Sequence, residues 1–387
     1  MAENIFSKLF PKGLAFWQKN RSVVGIDIGA SSVKIVQLRK DKEQAILETY
    51  GEIATGPYSK LPVGQITSLP EETITAMLKD LFKESGVTAR EAIVSIPIKS
   101  SFVTSMKIPI VADRNMDEIV RFEARKYVPV PLSEVEMDWW VLNEEKKNEE
   151  EDYGEENTIE DVIGGSSISK KGKRNVVDVL LVVIHKEIIQ RYHSIVTKAG
   201  MSIKLFEIEL FSSWRSSVSL RQAAPVLIID LGASSTKMSV IDKGILRMTH
   251  ATLKGSQAIT NAISKSLKIS FERAEEMKHQ IGLSSKPEYH ELVNVIESVT
   301  GFIFTEIKQF MLSYHRKYNV TVGRVVLTGG GALMIGLIDA IVKNLGVEVV
   351  LADPFAKTEY PPFLQEALKE IGPSFCNSVG LALRELE

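Results

Sequence analysis

Short apolar runs alternate with longer amphipathic stretches over most of the chain. Runs of four to eight apolar or alternating residues predict β-strands, whereas apolar residues three and four positions apart predict helices. The predicted strands are 33–38, 45–53, 92–96, 102–108, 135–142, 176–185, 202–208 and 322–328. The predicted helices are 71–84, 115–127, 186–199, 256–267, 272–281 and 334–345, and 287–318 forms one long helix or two short ones. Such alternation indicates an α/β protein whose sheets are covered by helices.

Two stretches depart from this pattern. Residues 1–21 combine aromatic and basic side chains, which favours either contact with an anionic membrane surface or a frayed terminus docked on its own domain. Residues 143–175 begin with ten acidic residues between positions 144 and 161, followed by Gly/Ser-rich and basic runs. Because this stretch cannot bury enough apolar area to offset its chain entropy, we expect a disordered acidic loop rather than a docking segment.

One segment occurs twice. The sequence VVGIDIGASSVK at 23–34 returns as VLIIDLGASSTK at 226–237, and six of the eight positions from the Asp to the Lys are identical. The copies stand 203 residues apart, which is too far for a solenoid repeat. Each copy predicts a strand, a tight turn and a returning strand. The chain therefore uses one supersecondary unit in each of two halves.

The repeated residue types suit a phosphate site. Glycine lets the backbone approach a phosphate oxygen, small residues leave successive N–H groups free to bind the anion, and Ser and Lys add donors and charge. An Asp at the end of each first strand can hold Mg²⁺, usually through water. Duplication for packing alone would not explain why the Asp and the Lys are both repeated.

A third glycine-rich segment, VVLTGGGAL, spans 325–333. It predicts an apolar strand, a turn without side chains and a helix N-terminus, where backbone can pack against an aromatic ring and the helix dipole favours phosphate. After two phosphate turns in the same chain, this order points to a nucleotide.

Composition narrows the choice of protein class. A chain of 387 residues with 44% hydrophobic residues should hold two or more globular domains, and a net charge of −2 gives no general electrostatic case for nucleic acid. The single cysteine fits a reducing compartment, and the N-terminus lacks a signal-peptide layout. We therefore expect a cytoplasmic protein. The six histidines show no metal-binding spacing.

The order of two D-x-G turns and a late strand-GGG-A turn resembles the actin/sugar-kinase/DnaK ATPase superfamily. Within it, segments 25–34, 121–132 and 378–384 resemble the PilM family of the type IV pilus inner-membrane platform, relatives of the cell-division protein FtsA. The resemblance implies an α/β, actin-like (ribonuclease H-like) two-lobed ATPase fold with an FtsA-type inserted subdomain. Its predicted domains are a tail (1–21), lobe I (22–90, 200–224 and 374–387), the inserted subdomain (91–199) and lobe II (225–373).

The same resemblance assigns roles in binding ATP and Mg²⁺. Asp27 and Asp230 would face the metal, and Gly329, Gly330 and Gly331 would form the adenosine turn. Glu275 and Lys278 would touch ribose and base, unless they are an exposed charge pair on a helix. The residues expected around the phosphates are Gly29, Ala30, Ser31, Ser32, Lys34, Gly232, Ala233, Ser234, Ser235 and Lys237.

Hydrolysis is less well supported by the sequence. The resemblance makes Glu209 the candidate for positioning the attacking water. Lys237, however, stands where actin has a histidine, and Ala233 replaces the small or acidic residue of active relatives. Because a lysine is a poor base at its ordinary pKa, we expect slow turnover or none.

The predicted function is an ATP-binding scaffold of the type IV pilus machinery. It would bind the cytoplasmic N-terminal tail of a PilN-like membrane protein through the inserted subdomain. Further expected partners are pilus motor ATPases and a second copy of the chain, and the inner-membrane association would run through these partners. The alternatives are an FtsA-like membrane tether, against which the absence of a C-terminal amphipathic helix counts, and a small-molecule kinase, for which no substrate segment is recognisable.

Overall fold

The same strand order occurs twice in the computed structural model, which describes residues 21–109, 115–143, 176–219 and 224–386. The strands are β1 (Ser22–Ile28), β2 (Ser32–Asp41), β3 (Gln44–Ala54), β4 (Glu91–Ile96), β5 (Ser101–Pro109), β6 (Val135–Asn143), β7 (Val176–His185), β8 (Ser202–Ile208), β9 (Val226–Leu231), β10 (Thr236–Asp242), β11 (Ile245–Thr252), β12 (Arg324–Thr328) and β13 (Glu348–Leu351). One sheet has the order β3-β2-β1-β4-β8 and another has β11-β10-β9-β12-β13. The duplicated segment is the β1–β2 hairpin of the first sheet and the β9–β10 hairpin of the second.

Strand direction is also the same in both sheets. The first three strands of each sheet pair antiparallel, whereas β4 runs parallel to β1 and β12 runs parallel to β9. The fourth and fifth strands are parallel to each other in both cases. Because the carboxyl ends of parallel strands meet at one edge of a sheet, the segments that follow these strands are brought together there.

Ten helices lie within the described residues. They are α1 (Glu71–Glu84), α2 (Met116–Ala124), α3 (Lys186–Lys198), α4 (Glu209–Ser217), α5 (Ser256–Leu267), α6 (Phe271–Gln280), α7 (His290–Tyr318), α8 (Leu337–Leu345), α9 (Gln365–Ile371) and α10 (Cys376–Leu383). Local sequence explains several of their ends. Pro70 precedes α1, and the side chains of Asn115 and Ser270 accept backbone N–H bonds at the starts of α2 and α6. None of the described helices is long and apolar enough to cross a membrane.

The predicted helices with stated bounds agree with the structure to within three residues. The helix predicted at 334–345 begins three residues later than expected, because a 3₁₀ turn at Gly330–Leu333 comes first and α8 begins at Leu337. Gly336 has φ +74°, and a Cβ there would lie 2.6 Å from the Leu283 carbonyl oxygen. The close approach of this loop to Leu283 therefore delays the helix.

The chain divides into two compact units. The larger unit contains the described residues up to Phe102 and from Ile184 onwards, and the smaller unit contains those of Val103–Val183. The smaller unit holds α2 and a three-stranded sheet of order β5-β7-β6. Within the segment predicted as the inserted subdomain, 91–199, β4 pairs with β1 and β8 in the larger unit. The predicted domain boundaries stay predictions, and those concerning residues 1–20 and the acidic stretch 144–175 lie outside the described residues.

The C-terminal helix packs directly on the first sheet. The buried side chains of Val379, Leu381 and Ala382 on α10 join a cluster with Val23 and Val36 of β1 and β2. The approach is close because Gly25 of β1 has no side chain. A Cβ at Gly25 would lie 2.1 Å from the Ser378 carbonyl oxygen. A second buried cluster joins the other sheet to α7.

Candidate nucleotide site

A cavity of about 850 Å³ lies in the larger unit at the carboxyl ends of the parallel strands. Asp27 and Asp230 stand at the ends of β1 and β9, Glu209 is the first residue after β8, and Gly329 follows β12 directly. All eighteen residues predicted for the nucleotide, metal and catalytic roles line this cavity. The structure therefore brings together residues that lie up to about three hundred positions apart, while their roles stay predictions.

The two duplicated turns have the same backbone hydrogen bond. The Gly29 N–H donates to the Ser32 carbonyl oxygen at 3.0 Å, and the Gly232 N–H donates to the Ser235 carbonyl oxygen at 3.0 Å. Backbone N–H groups of neighbouring segments also hold each turn. Thr55 N–H donates to the Ser31 carbonyl oxygen, and the first residues of α5 donate to the Gly232 and Ala233 carbonyl oxygens. The carbonyls are thus used in structural bonds, an arrangement suited to leaving N–H groups for an anion.

In the first copy, the Asp and the Lys bind different groups. Asp27 and Lys34 are directly opposite each other on β1 and β2. Even so, the Lys34 ammonium contacts Glu52 on β3 at 2.8 Å and the Ser32 hydroxyl at 2.5 Å. Asp27 accepts hydrogen bonds from the neutral side chains of Ser95, at 2.6 Å, and Asn377, at 3.4 Å. The Asp27 carboxylate therefore lies at the cavity with two neutral hydrogen-bond donors.

In the second copy, the Asp and the Lys bind each other. The Lys237 ammonium lies 2.9 Å from the Asp230 carboxylate and 2.7 Å from the Glu209 carboxylate. Burial alone would lower the pKa of Lys237, but the two carboxylates together raise it above its ordinary value. Burial raises the pKa of Glu209, although Lys237 opposes that shift. Lys237 is therefore a charged lysine, and its position makes it a poor proton acceptor.

The glycine turn packs against the second copy. A Cβ at Gly329, whose φ is +85°, would lie 2.4 Å from an Asp230 carboxylate oxygen. A Cβ at Gly331 would lie 2.6 Å from the Leu231 side chain, whereas one at Gly330 would meet nothing within 4 Å. Only Gly330 therefore leaves open space beside its backbone. That space suits the flat approach of a ring, as the sequence predicted for this turn.

Lys278 is buried and Glu275 is half-buried, so the two form a largely enclosed pair instead of the exposed pair considered above. The Lys278 ammonium lies 2.7 Å from the Glu275 carboxylate and 3.0 Å from the Thr260 hydroxyl, and Glu275 also contacts His279. Burial works against ionised Glu275, but hydrogen bonds from His279 and Lys278 lower its pKa to about 2. Burial lowers the pKa of Lys278. The pair lines the cavity, and a Cβ at Gly64 would lie 3.1 Å from Glu275.

Sequence reasoning missed three cavity residues, Glu52, Tyr192 and Asn377, and two residues that contact the cavity wall, Ser95 and Gln257. Ser95, Asn377 and Glu52 are the partners of Asp27 and Lys34, and Gln257 accepts the Ile66 N–H at 2.5 Å. Tyr192 on α3 is half-buried near two carboxylates; burial, then Asp27 and Glu209, raise its pKa. Ser95 carried a usable signal, since it is a polar residue inside an apolar strand. The other four depend on pairings between distant segments that no local pattern reports.

Comparison with known proteins gives the family. The family model of the type IV pilus assembly protein PilM matches residues 25–153 and 165–386 of this sequence. The chain belongs to the PilM family. The predicted resemblance is therefore confirmed. Of the chains in solved structures, one from a PilM–PilN type IV pilus biogenesis complex has a TM-score of 0.75 and 22% identity, covering 94% of this chain and 98% of that one.

More distant relatives agree with the fold. The ethanolamine utilization protein EutJ of Carboxydothermus hydrogenoformans has a TM-score of 0.53 at 16% identity, covering 94% of this chain and 89% of that one. FtsA of Bacillus subtilis is 26% identical over 369 residues, or 87% of this chain and 79% of that protein. FtsA of Streptococcus pneumoniae is 30% identical over 146 residues, and this alignment spans only 33% of this chain and 32% of that protein. The predicted actin-like fold of this PilM-family chain is confirmed.

The cavity fits a nucleotide with one hydrated magnesium ion. Its volume lies within the usual range of ligand pockets, about 300–1,000 Å³. Magnesium keeps several waters and needs only one or two carboxylates beside the substrate phosphates. Asp27 supplies such a carboxylate, and the buried Asn377 Oδ1, which has no hydrogen-bond partner, can accept from a metal-bound water. The space between Asp230 and Glu209 fits a metal poorly, because the Lys237 ammonium contacts both carboxylates.

Proposed function

We propose that this PilM-family chain is an ATP-binding scaffold of type IV pilus assembly. The observation that carries the proposal is the convergence of the two duplicated turns and the glycine turn on one cavity. Backbone N–H groups at Gly29–Ser32 and Gly232–Ser235 would bind the phosphates, and Lys34 would add charge. Magnesium, when bound beside Asp27, would neutralise phosphate charge.

We further propose that bound ATP is hydrolysed slowly at most. In this chain, the candidate base Glu209 contacts an ammonium, and Lys237 carries a raised pKa. A small-molecule kinase would need a group that activates its acceptor, and the buried ion pair argues against fast chemistry here. The nucleotide would therefore serve to fix one conformation of the larger unit for partner binding.

The proposed partner is the cytoplasmic tail of a single-span, PilN-like membrane protein. Its support is the likeness in fold to a chain from a PilM–PilN complex. The smaller unit offers a docking surface, since Phe122 on α2 is 62% exposed and Tyr127 and Val176 are exposed as well. Such a contact would hold a cytoplasmic protein at the inner membrane, where we also propose contact with pilus motor ATPases and self-association.

Nucleotide binding is tested by fluorescence titration with an N-methylanthraniloyl ATP analogue and magnesium. We expect saturable binding by the wild type. Asp27→Ala combined with Asp230→Ala should weaken it at least about a hundredfold, since two carboxylates at the cavity are lost. Asp339→Ala, which removes an exposed carboxylate on α8, is the matched control. Unchanged binding in the double variant would show that the turns have been misinterpreted.

Partner binding is tested by pulldown and calorimetry with the tail peptide, with and without ATP. We expect Phe122→Ala to reduce the peptide affinity at least about tenfold. Phe363→Ala is the matched control, because Phe363 is 82% exposed and lies in the larger unit. If the tail peptide does not bind the wild-type protein either with or without ATP, the proposed scaffold function is refuted. Binding to anionic vesicles without any partner would instead favour the FtsA-like tether.

A further inference from the structure

The wall of the cavity contains an ammonium where two carboxylates converge. Lys237 lies opposite Asp230 on the neighbouring strand and also reaches the first residue of α4, Glu209. All three side chains are largely buried. Two buried carboxylates this close would repel each other strongly in a medium of low dielectric constant. A cation between them is therefore a requirement of this arrangement.

Both oxygens of Glu209 are already hydrogen bonded. Its Oε1 accepts the Ile98 N–H at 2.8 Å, and its Oε2 accepts the Lys237 ammonium at 2.7 Å. A carboxylate that shares its charge with an ammonium is a weaker proton acceptor than a free one. For hydrolysis, Glu209 would have to accept a proton from water while the water oxygen bonds to the γ-phosphorus and the bond to ADP breaks.

We propose that Lys237 acts as a built-in cation that takes the place of a divalent ion between Asp230 and Glu209 and restrains hydrolysis by holding Glu209. This inference rests on the proposed binding of ATP and names the residue that keeps the nucleotide intact. Lys237 is a positioning residue, because it acts through Glu209. The first duplicated hairpin lacks this device, since Lys34 pairs with Glu52 instead of Asp27.

The first experiment compares ATP hydrolysis rates of four chains. Lys237→Met should raise the rate at least about tenfold, and adding Glu209→Gln to it should remove that gain. Lys237→Arg, which keeps the charge, should stay slow. A rate for Lys237→Met equal to that of the wild type would overturn the inference, and so would a gain that survives the addition of Glu209→Gln.

The second experiment measures the cation site without ATP. Electron paramagnetic resonance titration with Mn²⁺ should show at least about tenfold tighter binding by Lys237→Met than by the wild type, since the two carboxylates are released. Circular dichroism checks that this variant is folded at the temperature used. Equal Mn²⁺ affinities in folded samples would overturn the inference. Failure of the wild type to bind the ATP analogue would instead refute the proposed function, which the Mn²⁺ titration does not require.

Discussion

The two copies of the duplicated hairpin have one backbone and two electrostatic environments. Their turns share the same Gly-to-Ser hydrogen bond, and in both the Lys lies directly opposite the Asp. Yet Lys237 pairs with Asp230, whereas Lys34 turns to Glu52 and leaves Asp27 to neutral partners. The local sequence thus determines the turn, and the neighbouring elements determine which charge remains at the cavity.

The carboxylates that neighbouring elements place beside each lysine explain the difference between the two copies. In the first copy, β3 presents Glu52 beside Lys34 at the same register. In the second copy, Glu209 comes from α4 and draws the ammonium towards the interior. In one copy the Asp27 carboxylate therefore has neutral partners, and in the other the Asp230 carboxylate is paired with an ammonium. Closely similar motifs can therefore present unequal charges to one cavity.

The largest expected effect lies on the strand that precedes each turn. Gly25 on β1 occupies the position that Ile228 has on β9. The backbone of α10 approaches β1 closely at this point, which leaves no room for a side chain. Gly25→Ala should cost about 4 kcal/mol of unfolding free energy, since its Cβ would lie 2.1 Å from the Ser378 carbonyl oxygen, which cannot move alone. Urea denaturation followed by circular dichroism measures the change.

The control for this comparison is the second copy. Ile228→Val removes one buried methylene and should cost about 1 kcal/mol. If the Gly25 and Ile228 variants lose the same stability, the close packing of α10 does not distinguish the copies.

The next effect compares the two lysines. Lys237→Met should cost about 3 kcal/mol because it leaves two buried carboxylates without their cation. Lys34→Met should cost less than about 1 kcal/mol, since the Glu52 side chain is 44% exposed and water can replace the ammonium. Thermal and urea unfolding of both variants check the difference. Similar losses would mean that the two hairpins have equivalent environments.

Much of this fold was predictable because its signals are local. The duplicated turn, α1 and the glycine turn are each encoded by glycines, capping residues and apolar spacing within a few positions. The cavity followed because two turns and a third glycine segment imply one ligand. These inferences needed no knowledge of side-chain partners.

The partners themselves were not predictable in the same way. Glu52 is one of many glutamates, and Asn377 lies 350 residues from the Asp27 carboxylate that it contacts. The sequence placed Glu275 and Lys278 three positions apart, but their burial depends on Thr260 from another helix. A single sequence reports spacing along the chain, whereas these properties depend on which segments meet.

A smaller effect tests the glycine turn at 329–331, which packs against the second copy of the hairpin. Gly329 adopts φ +85° and ψ 160°, a region that residues with a Cβ avoid, so Gly329→Ala should cost about 2 kcal/mol. Gly330→Ala should change stability by less than about 0.5 kcal/mol, because its Cβ would meet nothing within 4 Å. Urea unfolding measures both. Equal losses would show that the turn tolerates side chains at either position.

The smallest effect concerns a buried lysine outside the hairpins. Lys278 has one carboxylate and a lowered pKa, whereas Lys237 has two and a raised pKa. The amide oxygen of Gln can still accept hydrogen bonds from Lys278 and Thr260, so Glu275→Gln should cost about 1 kcal/mol at pH 7.

This cost should depend on pH with a known sign. Folding lowers the pKa of Glu275 from 4.5 to about 2. The stabilisation is therefore complete above the unfolded value and is lost as the pH falls through the folded one. The difference in unfolding free energy between wild type and Glu275→Gln should shrink from pH 5 towards pH 2, as urea titrations at each pH would show. A difference that stays constant would mean that Glu275 is held by packing rather than by its charge, and that only the two-carboxylate site at Lys237 depends on ionisation.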